Sequence, residues 1–359
     1  TFSVNSTATA VTTTTGTVTV ESGGRLVLNV ATLDNADNFW EGIENFQNGS
    51  TVELQNWDWN NTTNNANRLV GNPSQISANS AGYLFGNLYF NANPSEAFNF
   101  IRGTTNSTLL LAENDLRINN ASSFAVNLVS TNQNIEVGGS VQVDAGIFRL
   151  GAVSTSSLTH VIKGNLIVNG GSASINSGSM NNNLVQINVF GNITVASGGA
   201  LLSGDPDSKF VFTGNTEQTI SIVGTTIGSN VNFEVASGAV VKIINQNINL
   251  PNTSNNFNVL NGGSLNFQNF SIVAGASASP RFNTEAGATL ITSNTAGLGG
   301  TGTAGSLQSF SSVSITAGNG VAQLVEGLNY VFNGATTTPF SAQQANTVIA
   351  NNVQITTNI

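Results

Sequence analysis

A short glycine-centred pattern recurs along the chain and constrains its fold more than any other feature. In most copies an apolar residue lies three positions before a glycine, a small residue follows the glycine, and a second apolar residue lies three positions after it, as in Val195-Ala-Ser-Gly198-Gly-Ala-Leu201. The glycines concerned are Gly23, Gly49, Gly138, Gly170, Gly198, Gly238, Gly262 and Gly287. Because glycine adopts positive φ angles at little cost, we predict that these residues form corners between strands.

The segments on both sides of the glycines alternate between apolar and polar residues. Ile193 and Val195 precede one copy, and Val241 and Ile243 follow another. Alternation with period two is typical of strands that bury one face. Helical periodicity is confined to residues 37–46, for which we predict a short helix.

The spacing of the glycines selects among all-β architectures. From Gly238 the next two corner glycines follow after 24 and 25 residues. Even, short spacing favours a right-handed parallel β-solenoid (β-helix) of roughly 10 to 14 rungs, in which the hand follows the general preference of parallel crossovers. The alternative is a set of tandem antiparallel β-sandwich modules in which the same glycines occupy hairpin turns.

The composition favours a structural role over catalysis. Only 8% of the residues are charged, against roughly 25% in ordinary soluble domains. The chain has one histidine and no cysteine, which excludes thiol nucleophiles, disulfides and Cys/His zinc sites. The 20 phenylalanines, against three tyrosines and three tryptophans, indicate a dry interior without partners for hydroxyl or indole groups.

Charge and hydropathy also exclude two classes of partner. The formal net charge is −9, and the nine basic residues are scattered singly, so no basic patch is predicted for nucleic acid. No apolar run reaches the length of about 18 residues that a membrane-spanning helix needs.

A longer repeat overlies the short one. The segment Phe210-Val-Phe-Thr-Gly214 matches Tyr330-Val-Phe-Asn-Gly334 at an offset of 120 residues. We therefore predict one continuous solenoid segment that was cut from a longer array. Its predicted organisation is a single body over 1–359, with repeat units at about 191–310 and 311–359, the latter truncated, and an irregular insertion over 31–110 as an open alternative.

These motifs, together with the Asn-Val-x-Phe and Val-Ala-Ser-Gly-Gly segments, resemble the repeat regions of very large cell-surface proteins of Bacteroidota. That group includes gliding-motility adhesins exported by the type IX secretion system. The resemblance covers most of the chain and is best from about Gly191 to Ile359. It implies a non-catalytic, extracellular segment of a surface filament or stalk, with neighbouring repeats, identical chains or surface glycans as partners.

Two pairs of residues are candidates for binding. Trp57 and Trp59 stand two apart, so on a strand both would point the same way and form either a stacking platform for sugar rings or part of the core. Asp205 and Asp207 offer two carboxylates to calcium, whereas the alternative is a plain turn, for which Asp-Pro and Asp-Ser are common. No other cofactor is expected.

The alternative function is a polysaccharide-active β-helix enzyme, a lyase or glycoside hydrolase, or else a carbohydrate-binding module. An enzyme of this kind needs acids and bases on neighbouring strands of one face. The charged residues that would supply them are Arg102, Arg117, Arg149, Lys163, Glu136 and Asp144. Their alternative role is to keep the surface soluble. The acidic residues Asp34, Asp37, Glu41 and Glu44 are expected on the face of the short helix, and His160 as an isolated, hydrogen-bonded histidine.

Overall fold

The computed structural model describes most of the chain as strands and turns. The described residues are 2–6, 18–30, 43–55, 68–70, 78–92, 98–101, 108–121, 125–129, 133–151, 157–176, 184–224, 226–275, 279–334, 339–340 and 349–356. These ranges contain no α-helix, and accordingly none of them holds a helix long and apolar enough to cross a bilayer. The chain divides into an N-terminal unit, Thr1–Ile187, and a C-terminal unit, Asn188–Ile359.

The N-terminal unit contains seventeen strands and the start of an eighteenth. They are β1 (Phe2–Ser6), β2 (Val18–Val20), β3 (Arg25–Val30), β4 (Ile43–Phe46), β5 (Thr51–Gln55), β6 (Arg68–Val70), β7 (Asn87–Asn91), β8 (Phe98–Ile101), β9 (Thr108–Ala112), β10 (Leu116–Asn119), β11 (Ala125–Val129), β12 (Asn134–Val137), β13 (Val141–Ala145), β14 (Ile147–Arg149), β15 (Leu158–Ile162), β16 (Leu166–Val168), β17 (Gly171–Ser174) and β18 (Val185–Val189).

These strands form three parallel sheets in the N-terminal unit. The first sheet has the order β1-β3-β5-β7-β10-β13-β16, the second β6-β8-β11-β14-β17 and the third β9-β12-β15, while β2 pairs with β4. From β7 onward the chain visits the three sheets in turn, so every third strand returns to the same sheet. Each return places the new strand parallel to its predecessor, as for β7, β10 and β13.

The C-terminal unit continues the strand list. It contains β19 (Ile193–Val195), β20 (Gly199–Leu202), β21 (Lys209–Phe212), β22 (Glu217–Ile222), β23 (Thr226–Ile227), β24 (Asn232–Val235), β25 (Val240–Ile243), β26 (Ile248–Leu250), β27 (Asn256–Val259), β28 (Ser264–Gln268), β29 (Ile272–Ala274), β30 (Arg281–Thr284), β31 (Thr289–Thr292), β32 (Leu307–Gln308), β33 (Ser312–Ser314), β34 (Val321–Gln323), β35 (Leu328–Phe332) and β36 (Ala350–Ile355).

The sheets of the C-terminal unit follow the same rule. Its first sheet has the order β19-β22-β25-β28-β31-β35-β36, its second β21-β24-β27-β30-β34-β33 and its third β26-β29-β32, while β20 pairs with β23. The described pairings are parallel, and the register advances by 24 residues where Val241 pairs with Leu265. Both units are therefore parallel β-solenoids, which confirms the predicted fold class.

The same connections exclude the sandwich alternative. The turn at Gly262 joins β27 of the second sheet to β28 of the first sheet, and the turn at Gly198 joins β19 to β20, which belong to different sheets. Neither glycine therefore occupies a hairpin between antiparallel neighbours. Each turns the chain from one side of the coil to the next.

The core consists of columns of apolar side chains that stack from one turn to the next. In the N-terminal unit Leu116, Val141 and Leu166 are paired in register and fully buried. In the C-terminal unit a column of phenylalanines passes through the second sheet. Its members are Phe210, Phe233, Phe257 and Phe282, with successive ring centroids 6.1, 5.6 and 6.3 Å apart. This column confirms the expectation of phenylalanine stacked in a dry interior.

The eight recurrent glycines all lie between strands of different sheets, but they are needed there for two reasons. Six of them have φ angles between 73° and 92°, and Gly238 is an example with open space where a Cβ would lie. Gly138 and Gly170 do not have positive φ. At these two corners a Cβ would overlap a backbone carbonyl of the preceding turn, that of Glu113 at Gly138 and that of Asp144 at Gly170.

Two other predictions from sequence need correction. The helix over residues 37–46 is wrong at its described end, because Ile43–Phe46 forms β4, in which Phe46 is buried with its ring 5.1 Å from that of Phe85. The 120-residue repeat does not match equivalent positions, because Phe210 lies in the second sheet and Tyr330 in the first. Within 31–110 the described strands β5 and β7 stack in the first sheet like their neighbours.

Candidate functional site

The most distinctive polar feature of the described residues is a groove on the outward face of the first sheet of the N-terminal unit. The groove has a volume of about 480 Å³. Its lining includes Arg25 from β3, Glu53 from β5, Tyr89 from β7, and Arg117 and Asn119 from β10. Residues from four successive turns of the coil therefore share one surface.

Strand alternation and register bring these side chains together. The apolar partners Leu88 and Leu116 point inward and are buried, so the residues that follow them point outward. Parallel pairing then aligns Glu53 with Tyr89 and Tyr89 with Arg117. Successive turns lie about 4.8 Å apart, so the three side chains form a continuous row across the sheet.

The carboxylate of Glu53 anchors one end of the groove. Arg25 forms an ion pair with it through Nη2. Gln55 donates from Nε2 to Oε1 at 2.6 Å, and Asn91 donates from Nδ2 to the same oxygen at 3.3 Å. The side chain of Glu53 is only 5% exposed, against 47% for Arg25. The negative charge is thus covered by donors, and the guanidinium remains at the surface.

The carboxylate of Asp144 has the same function beside Arg117. Arg117 donates from Nε to Oδ2 at 2.5 Å, while Gln142 and Asn169 each donate to Oδ1 at 2.8 Å. Burial alone would raise the pKa of Asp144, but these hydrogen bonds and the charge of Arg117 hold the pKa below its usual value. Asp144 is therefore ionised at neutral pH and supports Arg117.

The charged residues considered for catalysis are distributed over three sheets. Asp144 and Arg117 lie on the first sheet, Arg149 ends β14 of the second, and Glu136 belongs to β12 of the third. The structure brings Arg117 to Asp144 but separates both from Glu136 by a corner. Arg102 lies outside the described residues.

Glu136 is the centre of a second, smaller polar group. Tyr83 donates from its hydroxyl to Oε1 of Glu136 at 2.7 Å, and Lys163 lies 3.8 Å from Oε2. Burial, reinforced by the hydrogen bond to Glu136, raises the pKa of Tyr83. The phenol therefore keeps its proton and acts as a donor that orients the carboxylate.

The two aspartates predicted as calcium ligands form a turn. Asp205 is buried and accepts the backbone N–H of Asp207 through Oδ1 at 2.9 Å, while Asp207 is exposed. A carboxylate that accepts the N–H two residues on defines an Asx turn. Across the described ranges, no three acidic or histidine side chains gather closely enough to hold a metal ion.

The remaining candidate residues are either buried or outside the described ranges. His160 is buried, and its Nδ1 accepts the backbone N–H of Ile135 at 3.1 Å. Burial lowers the pKa of His160 to about 4, so the ring is neutral near pH 7. Trp57 and Trp59 lie outside the described residues, as do Asp34, Asp37 and Glu41.

Sequence reasoning missed Arg25, Glu53 and Tyr89, which lie 28 and 36 residues apart along the chain. A partial signal was present. When the segments after Gly23 and Gly49 are superposed, Arg25 aligns with Thr51 and lies two positions before the residue equivalent to Glu53. No recurrent glycine marks the turns that carry Tyr89 and Arg117, so their register could not be assigned.

Comparison with known proteins gives no family assignment. No protein-family model, no curated protein and no solved structure matches the chain. The function is therefore argued from the site and the fold.

Proposed function

We propose that the chain is a non-catalytic segment of a large cell-surface protein, in which it acts as a stalk or an adhesive filament. The observation that carries this proposal is the use of charged and amide side chains to join one turn of the coil to the next. Arg117 contacts Asp144 across 27 residues, and Lys209 contacts Glu234 across 25 at 2.6 Å. Ionisable groups engaged in this way support a surface.

Amide ladders contribute the same kind of support. Asn283 donates to Asn258 at 2.8 Å, and Asn119 donates to Asn91 at 2.9 Å. Such pairs hold successive turns in register without the repulsion that stacked like charges would cause. A repetitive surface of this type suits a protein whose task is to extend or to adhere. The resemblance of its motifs to surface-protein repeats points in the same direction.

A carbohydrate-binding role is the second candidate, and the groove beside Tyr89 favours it. A half-buried aromatic ring between two exposed guanidiniums offers both a stacking surface and charged donors. This role is compatible with adhesion and requires no acid–base pair.

Location and catalysis can be tested separately. Antibodies raised against the chain should label intact, unpermeabilised cells of the source organism, and external protease should remove the label. Labelling that requires permeabilisation would refute the surface role. The purified chain should release no reducing ends and no unsaturated sugars from polygalacturonate or alginate. Turnover that is lost in Asp144→Asn would instead establish an enzyme.

A further inference from the structure

The two arginines of the groove present their charge to solvent in the same way. The side chain of Arg117 is 51% exposed and that of Asp144 only 17%, and the contrast between Arg25 and Glu53 is larger still. In each pair the carboxylate therefore lies beneath the guanidinium. A ligand that approaches this face meets two cations, although the chain as a whole carries a net charge of −9.

Both guanidiniums keep donors for a ligand. Arg25 uses Nη2 for Glu53, and Arg117 uses Nε for Asp144. Their remaining N–H groups have no acceptor among the described residues. Arginine carries five N–H donors in a planar fork that suits carboxylates. Each residue is thus held on one side and open on the other.

The positions of the two arginines are fixed relative to Tyr89. Arg25 belongs to β3 and Arg117 to β10, three turns apart, which corresponds to about 14 Å along the stacking direction. Tyr89 lies between them on β7, in register with Glu53 and Arg117. Asn91 and Asn119 lie beside it and bind each other at 2.9 Å. The hydrogen-bonded network orders the groove before any ligand arrives.

We propose that this groove binds an acidic polysaccharide whose carboxylates contact Arg25 and Arg117 while a sugar ring between them stacks on Tyr89. Charge-assisted bonds from arginine to carboxylate are among the stronger polar contacts in proteins. The amides of Asn91 and Asn119 are placed to bind hydroxyl groups. The inference requires only the groove, so it is independent of the proposed surface role.

A saccharide suits this groove better than an acidic peptide. The two cations are separated by a polar, open floor with one aromatic ring, whereas peptide recognition draws on an unpaired sheet edge or an apolar groove. The first sheet is paired on both sides of β7, so no edge is available there. Sugar rings present apolar faces and hydroxyls, which match Tyr89 and the flanking amides.

The experiment is calorimetric titration of the whole chain with oligogalacturonides at low ionic strength. We expect binding that weakens as salt is raised, because exposed charges are screened. The fully methyl-esterified oligosaccharide has the same backbone without charge, and it should bind at least about tenfold more weakly. Poly-glutamate serves as the peptide comparator and should also bind more weakly.

Variants locate the site. The double variant Arg25→Gln/Arg117→Gln should weaken binding by roughly tenfold or more, and Tyr89→Ala by several-fold. Arg117→Lys keeps the charge but not the fork, so it should retain part of the affinity. The matched control is Lys242→Gln in the C-terminal unit, which removes an ion-paired cation from another first-sheet strand and should leave affinity unchanged. Far-UV circular dichroism verifies that each variant is folded.

Several results would overturn the proposal. These are absence of binding to oligogalacturonides, equal binding to the esterified form or to poly-glutamate, and equal loss in Lys242→Gln and the double variant. If the double variant fails to fold, the single variant Arg117→Lys decides. Unchanged affinity in that folded variant, together with unchanged affinity in Tyr89→Ala, would place the ligand elsewhere.

Discussion

The phenylalanine column of the C-terminal unit and the polar row of the N-terminal unit show what parallel stacking does to the two faces of a strand. Phe233 and Phe257 occupy one inward position on successive turns, 24 residues apart, and both are fully buried. Glu53, Tyr89 and Arg117 occupy one outward position on successive turns, and all three differ. The interior repeats a size because packing requires it. The outward face can vary, so a binding function can be placed there.

The largest expected effect tests the inward column. Phe233→Ala should lower the free energy of unfolding of the C-terminal unit by roughly 3–5 kcal/mol, because it leaves a cavity between two rings. Asn258→Ala, on the outward face of the next strand, should cost less than about 1 kcal/mol. Urea denaturation followed by circular dichroism measures both. Similar losses in the two variants would contradict the division between the faces.

The buried histidine of the N-terminal unit predicts a pH dependence. Burial lowers the pKa of His160 to about 4, whereas the unfolded side chain titrates near 6.5. The unfolded chain therefore takes up the proton first, and stability should fall by roughly 3 kcal/mol as pH drops from about 6.5 to about 4.

His160→Asn is the control, because its Oδ1 can accept the N–H of Ile135 while the side chain carries no titratable group. Urea denaturation at a series of pH values should give a shallower slope in the variant within this window. Equal slopes in the variant and the parent chain would show that the imidazole is already accessible to protons in the native state.

The two kinds of corner glycine should respond differently to substitution. Gly238→Ala places a side chain at φ 80° in open space and should cost about 1 kcal/mol. Gly138→Ala directs a Cβ into the carbonyl of Glu113 and should cost roughly 2–3 kcal/mol. Thermal denaturation compares them.

Asparagine distinguishes the causes, since Asn230 and Asn245 already adopt φ of 63° and 71° in the C-terminal unit. Gly238→Asn should therefore be milder than Gly238→Ala, and Gly138→Asn should be no better than Gly138→Ala. Rescue at both corners would mean that backbone conformation, and not close approach, determines the need for glycine at Gly138.

The smallest effect concerns an inward position that breaks the pattern. Tyr330 is buried in the column with Leu290, and its hydroxyl has no hydrogen-bond partner in the described part of the chain. Tyr330→Phe should therefore raise the free energy of unfolding by about 1 kcal/mol. A destabilised variant in chemical denaturation would reveal a partner for the hydroxyl.

The sequence predicted the parts of the fold that depend on local chemistry. Alternation around Gly238 and Gly262, and the abundance of phenylalanine, were sufficient for parallel stacking with an aromatic interior. The 120-residue match failed because the Phe-Val-Phe-x-Gly pattern describes a strand and its turn, and such a unit occurs on more than one sheet. Local similarity does not specify which side of the coil a strand occupies.

The groove depends on register between turns of unequal length, which the sequence does not specify. Val52 pairs with Leu88 after 36 residues, and Leu88 pairs with Leu116 after 28. A shift of one residue in either pairing would turn Tyr89 or Arg117 to the other face. The neighbours of Glu53 could therefore be identified only after the strands were placed.

The most direct test of the stacked coil uses cysteine pairs, since the chain contains no cysteine of its own. Asn258 and Asn283 are paired in register on neighbouring parallel strands, whereas Asn258 and Asn266 lie on either side of the Gly262 corner in different sheets. Under mild oxidation the variant Asn258→Cys/Asn283→Cys should form an intramolecular disulfide, and Asn258→Cys/Asn266→Cys should not. The opposite result, a disulfide only in the second variant, is what a hairpin at Gly262 would give and would contradict the solenoid.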